Sequence, residues 1–137
     1  VAKITFLEKQ ALIQKYDIGY LYIVKTKEHI KIGISKMPEQ RINLIKTDNP
    51  YQVDVVMVMK VPFVYETEQN IHKQLKELGW HVRGEWFYHN ENVVNEIIDL
   101  LFGHIEKNKK HIRRLGLTSE FSQEFKMLKE YKQGSHT

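Results

Sequence analysis

The sequence predicts an α+β fold: a small, three-stranded, largely antiparallel sheet flanked by helices, with a basic helical C-terminal extension. Three observations carry this. Two runs rich in β-branched and aromatic residues, YLYIVKT and IKIGIS, are separated only by KEH, which implies an antiparallel hairpin. A third apolar run, VDVVMVMKV at 53–61, stands between two segments of helical periodicity. Finally, the excess positive charge lies beyond residue 102.

Taken in order, residues 3–16 place Ile4, Leu7, Ala11, Leu12 and Tyr16 at helical spacing, until Asp17 and Gly19 interrupt the pattern. The hairpin follows. Ser35 then precedes Lys36-Met37-Pro38-Glu39, and a hydroxyl before a proline with an acid after it starts a helix. Met37, Arg41, Leu44 and Ile45 fall on its neighbouring turns, and Asn49-Pro50 ends it. The run at 53–61 is apolar enough for a strand packed on both faces, and Pro62 closes it. Residues 64–79 form a helix with Ile71, Leu75 and Leu78 inward and Gly79 as its stop. HVRGEWF reads as a loop. A helix over 91–102 turns Val94, Ile97, Ile98, Leu101 and Phe102 to the core, and 104–114 and 118–132 read as basic or mixed-charge helices around Gly116.

Composition narrows the class. A chain of 137 residues fits one domain, and 42% apolar with 28% charged residues is ordinary for a globular protein. The absence of cysteine excludes disulfides and thiolate-bound zinc. No apolar run approaches the ~18 residues of a membrane span, and the N-terminus lacks the apolar block of a signal peptide. The expected location is cytoplasmic or, for a viral protein, the host cytoplasm or nucleus. Residues 1–102 hold 13 of the 21 Lys/Arg and 13 of the 17 Asp/Glu, so their charges cancel and the net +4 belongs to residues 103–137. A basic segment on a neutral domain suits phosphate binding.

Phosphodiester cleavage needs a carboxylate for Mg²⁺, a cation on the phosphate and a proton acceptor near the attacking water. Candidates occur in one ordered pattern. Tyr20-Leu21-Tyr22 and Lys31-Ile32-Gly33 lie on the paired strands, Arg41 follows on a helix, and Glu68-Gln69-Asn70-Ile71-His72 lies on the next. Arg83-Gly84-Glu85-Trp86-Phe87 comes later. This set resembles the GIY-YIG nuclease superfamily over about residues 19–100, and in particular a phage and bacterial branch that writes the second triplet with Lys and carries a Gly-Glu-Trp-Phe signature.

The resemblance implies a DNA endonuclease dependent on Mg²⁺ (or Mn²⁺), with an N-terminal helix over 1–17, a nuclease domain over 18–102 and the basic extension over 103–133. Tyr22, Lys31, Arg41 and Glu68 take catalytic positions. Tyr22 orients or deprotonates the attacking water, Arg41 grips the phosphate with its planar fork, and Glu68 holds the metal. Lys31 stands where the superfamily has tyrosine and acts as a base or a phosphate contact. Tyr20 is a substrate-side candidate. His72 shares a helix face with Glu68 and is a poor Mg²⁺ ligand, so it contacts phosphate or hydrogen-bonds within the site. Gly33 permits close approach to its strand, and Glu85 is a structural cap or a supporting acid. The competing reading is a nucleic-acid-binding module with the same fold and no turnover. Oligomeric state is open.

Lys109, Lys110 and Arg113 cluster in the extension and are expected to track the nucleic-acid backbone. Reversing these three charges should weaken DNA binding and flatten its salt dependence, whose slope on duplex is about −0.9 per phosphate neutralised. An unchanged slope in a folded variant would assign the segment a structural or protein-contact role.

Overall fold

Side-chain alternation along the first two strands decides where the other elements pack. In the computed structural model, which describes residues 5–114, Gly19–Lys25 (β1) and His29–Ser35 (β2) form the antiparallel hairpin. Thr26 closes its turn by donating its N–H to the His29 carbonyl at 2.8 Å and accepting the His29 N–H on its hydroxyl at 3.1 Å. Ahead of the hairpin, Phe6–Lys15 (α1) starts with a capping box between Thr5 and Glu8. Pro38–Asp48 (α2), Asp54–Val61 (β3) and Val64–Glu77 (α3) follow it.

The three-stranded expectation is overturned. The sheet has five strands in the order β3-β1-β2-β5-β4, every pair antiparallel. The additional strands, His81–Arg83 (β4) and Trp86–Tyr88 (β5), come from the segment read as a loop. Strands of three residues are too short to display the alternation by which a sequence announces a strand. Gly84, at φ +56°, turns the chain between them. His81 Nε2 donates across the turn to the Gly84 carbonyl at 2.8 Å. The remaining elements are Glu91–Lys107 (α4) and Lys109–Arg114 (α5).

Leu21, Ile23, Ile30 and Ile32 face the main core, which α3 and α4 complete through Val64, Ile71, Leu75, Val93, Ile97, Ile98, Leu101 and Ile105. Tyr22 and Val24 face the opposite side, where α2 supplies Ile42 beside Val53. α2 packs over β1 and β2 on that face, whereas Tyr88 on β5 is 49% exposed.

Several expected core positions fall elsewhere. β3 is an edge strand that packs on both faces, with Met57, Met59 and Val61 in the main core and half-buried Val58 against Tyr22 and Val24, while Val55 near its start is 45% exposed. Leu78 becomes the C-cap of α3 rather than a core residue, and α1 buries none of its side chains, leaving Leu7 exposed. The basic stretch over 104–114 divides between the last turn of α4 and α5. Asn108 lies between them, its amide donating to the His104 carbonyl at 2.9 Å. The expected helix over 118–132 lies outside the described residues. No helix among the described residues is long and apolar enough to cross a membrane.

The N-terminus of α3 is capped from a distant part of the chain. Phe63, its N-cap, is left-handed at φ +51° and offers no side-chain acceptor. Asp17, also left-handed at φ +44°, supplies two instead: its carbonyl takes the Val64 N–H at 3.0 Å and its carboxylate takes the Tyr65 N–H at 3.1 Å. The Phe63 N–H donates to the Tyr16 carbonyl at 2.7 Å. Asp17→Ala should therefore lower stability by about 0.5–2 kcal/mol, the usual cost of a lost cap. Asp17→Asn, which tolerates the left-handed backbone and keeps an acceptor, should retain most of it. Equal denaturation midpoints for Asp17→Ala and the parent would show that backbone bonds alone hold this end.

Candidate active site

The site starts from one cross-strand pair. Tyr22 lies opposite Gly33, and its ring crosses the pleat directly over the glycine. A Cβ at residue 33 would lie 2.6 Å from Tyr22 Cε2 and closer still to Cζ and Oη. Only glycine leaves that space, so the glycine of the second triplet is where the tyrosine of the first is seated. Arg41, exposed on α2, is close enough to the phenol for its charge to favour the ionised form. Burial pushes the Tyr22 phenol above its ordinary range, and Arg41 opposes that rise without cancelling it. Tyr22 likewise strengthens the hold of Arg41 on its charge. Tyr22 is thus a neutral, buried phenol beneath a permanent cation. This is a poor setting for a group that must deprotonate water.

Glu68 and His72 reach the cluster from the other face of the sheet, by way of a gap in it. β5 pairs with β2 only from His29 to Lys31, and the Ile32 N–H makes the last bond, to the Glu85 carbonyl at 3.2 Å. In an antiparallel strand the N–H and C=O of one residue point to the same neighbour, alternating along the chain. The Ile32 carbonyl and the Ile34 N–H therefore face the edge that β5 leaves open, and α3 fills it. His72 Nε2 donates to the Ile32 carbonyl at 2.9 Å, and the Ile34 N–H supports the Glu68 carboxylate. Burial holds His72 below the ordinary imidazole range, so the ring is a neutral donor fixed to the backbone.

Glu68 is only 4% exposed. Gln69 donates to its Oε1 at 3.1 Å, while its Oε2 is buried without a hydrogen-bond partner. Burial raises its carboxyl above the ordinary range, and the neighbouring charge of Glu85 raises it further. A buried carboxylate oxygen with nothing to accept is costly, and the arrangement suits a cation.

On β2, Lys31 faces the same side as Gly33. Its Nζ is 3.4 Å from Glu85 and 5.5 Å from the centroid of Trp86, the residue paired with it on β5. Glu85 acts electrostatically on Tyr22, Arg41, Glu68 and His72. The sequence left its role open; its place in the Gly-Glu-Trp-Phe turn was the available signal.

Tyr22, Lys31, Arg41, Glu68 and His72 are therefore brought together from four elements. Tyr20 is half-buried on the same face as Tyr22, opposite Ser35. Lys109, Lys110 and Arg113 are exposed on α5, which packs through the His111 ring against Tyr16 and Phe63 at the N-terminal end of α3. Among the described residues no group of three or more His, Asp or Glu side chains could hold a metal by itself.

Residues 19–102 match the family described as the T5orf172 domain, a domain found in endonuclease-like proteins of phages and bacteria. The match spans both triplets, the Arg41 and Glu68 helices and the β4–β5 turn. No curated protein and no solved structure matches the chain.

The raised carboxyl of Glu68 makes a signed prediction. The folded state binds this proton more tightly than the unfolded state, so the contribution is fully present below the unfolded value, about 4.3. It is lost as pH rises through the higher folded value. Glu68→Gln carries no such loss and should gain stability over the parent between mildly acidic and neutral pH. Parallel stability–pH curves for the two proteins would remove the buried-charge assignment.

Proposed function

The chain belongs to the T5orf172 domain family, and on that footing we propose that it is a metal-dependent nuclease hydrolysing DNA phosphodiester bonds at a GIY-YIG-type site. The family points to a nuclease-like or nucleic-acid-binding role. The observation that favours hydrolysis is the buried, unpartnered Glu68 Oε2 beside a Tyr22–Arg41 pair and a Lys31–Glu85 pair. A module that only bound the nucleic-acid backbone would gain nothing from a second acid among its cations.

Each residue then has a task. Arg41 forks onto two phosphoryl oxygens of the scissile phosphate, and its charge answers the charge that builds there. Tyr22 is a positioning residue: its phenol, seated on Gly33, holds the guanidinium in place. Lys31 contacts the phosphate as a point charge, steered by Glu85 on one side and Trp86 on the other. His72 keeps α3 on the edge of β2, and so fixes where the Glu68 carboxylate stands.

Glu68, with Glu85 nearby, fits Mg²⁺ or Mn²⁺, since Mg²⁺ takes one or two carboxylates and fills its shell with water and phosphate oxygens. Such an ion would supply Lewis-acid stabilisation of the phosphoryl oxygens.

Plasmid, single-stranded DNA and RNA incubated with protein and Mg²⁺, Mn²⁺ or EDTA test this reading. Arg41→Lys should slow cleavage about 10²–10³-fold, as for loss of one transition-state donor. Glu68→Gln should abolish metal-dependent cleavage and leave binding nearly intact. A loss below about threefold in Arg41→Lys, on the scale of a group outside the reaction, would make Arg41 a surface residue. Metal-dependent cutting by Glu68→Gln would remove the metal assignment, and binding without cutting by the parent would identify a binding module.

A further inference from the structure

The sheet face that carries the cluster extends beyond it. On β2, His29 and Lys31 face the same side, and their β5 partners Tyr88 and Trp86 face it with them. Against Trp86 lies a cavity of about 280 Å³, bounded also by His29, Asn49, Pro50, Tyr51 and Arg83. Trp86 is therefore shared: Lys31 approaches its ring within the cluster, and the ring also lines the cavity. Past Tyr51 lies a larger groove of about 730 Å³ that includes Lys25, Lys27 and His89 together with Glu28 and Asp54, with Thr26, His29 and Tyr51 common to both.

Tyr51 stands where the two meet. The residue is 73% exposed, and its backbone is fixed by an N–H bond to Asn49 Oδ1 at 3.0 Å. The smaller cavity falls just below the roughly 300–1,000 Å³ of small-ligand pockets. That volume accommodates a planar ring system. Aromatic walls and an exposed ring on a fixed turn, with Arg83 at the cavity and Lys25 and Lys27 in the groove, are features that bind an unpaired strand.

We propose that this cavity receives one unpaired nucleobase next to the phosphate held by Lys31 and Arg41, with Tyr51 and Trp86 as its stacking walls. The strand then continues along Lys25 and Lys27. The substrate is accordingly single-stranded or locally opened nucleic acid. This inference rests on the nucleic-acid reading above and adds to it the form of the substrate.

The test is fluorescence anisotropy with a labelled single-stranded oligodeoxythymidylate, and with the same strand carrying abasic positions, in EDTA. Tyr51→Ala should weaken binding of the intact strand about 5- to 150-fold, the range for losing one base–aromatic stack. Tyr51→Phe should restore it. The abasic strand should bind the parent about as weakly as the intact strand binds Tyr51→Ala. Equal, salt-dependent binding of both strands to the parent and to Tyr51→Ala would overturn the base cavity while leaving the nucleic-acid reading in place. Failure of every strand to bind at low salt would overturn both.

Discussion

The seating of the Tyr22 ring on Gly33 is the contact on which the rest of the site depends. Two strands hydrogen-bonded at this position bring their side chains close together on one face, and a full tyrosine can lie flat there only if its partner has no side chain. The ring then lies beneath α2, and Arg41 on that helix is electrostatically coupled to its phenol. Ile42 and Val53 pack around the ring and fix α2 against the sheet. A surface arginine is normally free to sample many rotamers; this one has a buried anchor beneath it.

A second constraint acts from the opposite side. The hairpin formed by β4 and β5 covers only part of the outer edge of β2, because its strands are three residues long. Backbone groups beyond that point must still be bonded, and His72 on α3 bonds one of them. That bond draws α3 to the edge, where Glu68, one helical turn earlier, meets residues of the other face. Asp17 matters for the same reason, since it secures the start of the helix that carries both side chains. The short hairpin also places Glu85 and Trp86 beside Lys31. One truncated edge thus positions an acid on each side of the gap.

Electrostatically the cluster is unfavourable in isolation. Glu68 is buried with an oxygen that accepts nothing, and Glu85 adds a like charge nearby. A sequence selected for stability alone would place an apolar or amide side chain at position 68, because an unpaired buried carboxylate costs more than it contributes. Stability given up at one site is the usual mark of a residue retained for chemistry or ligand binding. The same reasoning does not extend to Lys109, Lys110 and Arg113, which are exposed and pack away no charge.

By itself the sequence determined the elements with strong local signals. β-branched runs, Pro38 at a helix start and regular apolar spacing announced β1, β2, α2, α3 and α4, and the ordered residues from Tyr22 to Glu68 marked the candidate site. What it could not give was whatever depends on a partner remote in the chain. The β4–β5 strands are too short for periodicity to register, and they exist because the edge of β2 pairs with them. Whether the apolar run of β3 would be covered on one face or two depended on where the helices settled. Leu7 and Leu78 have the spacing of core residues but stay outside the core, 78% and 45% exposed. Burial of Tyr22, the cap from Asp17 and the alignment of Glu85 with Lys31 likewise arise only once the sheet has closed. Local pattern is written in neighbouring residues; burial and charge coupling are set by residues that only folding brings together.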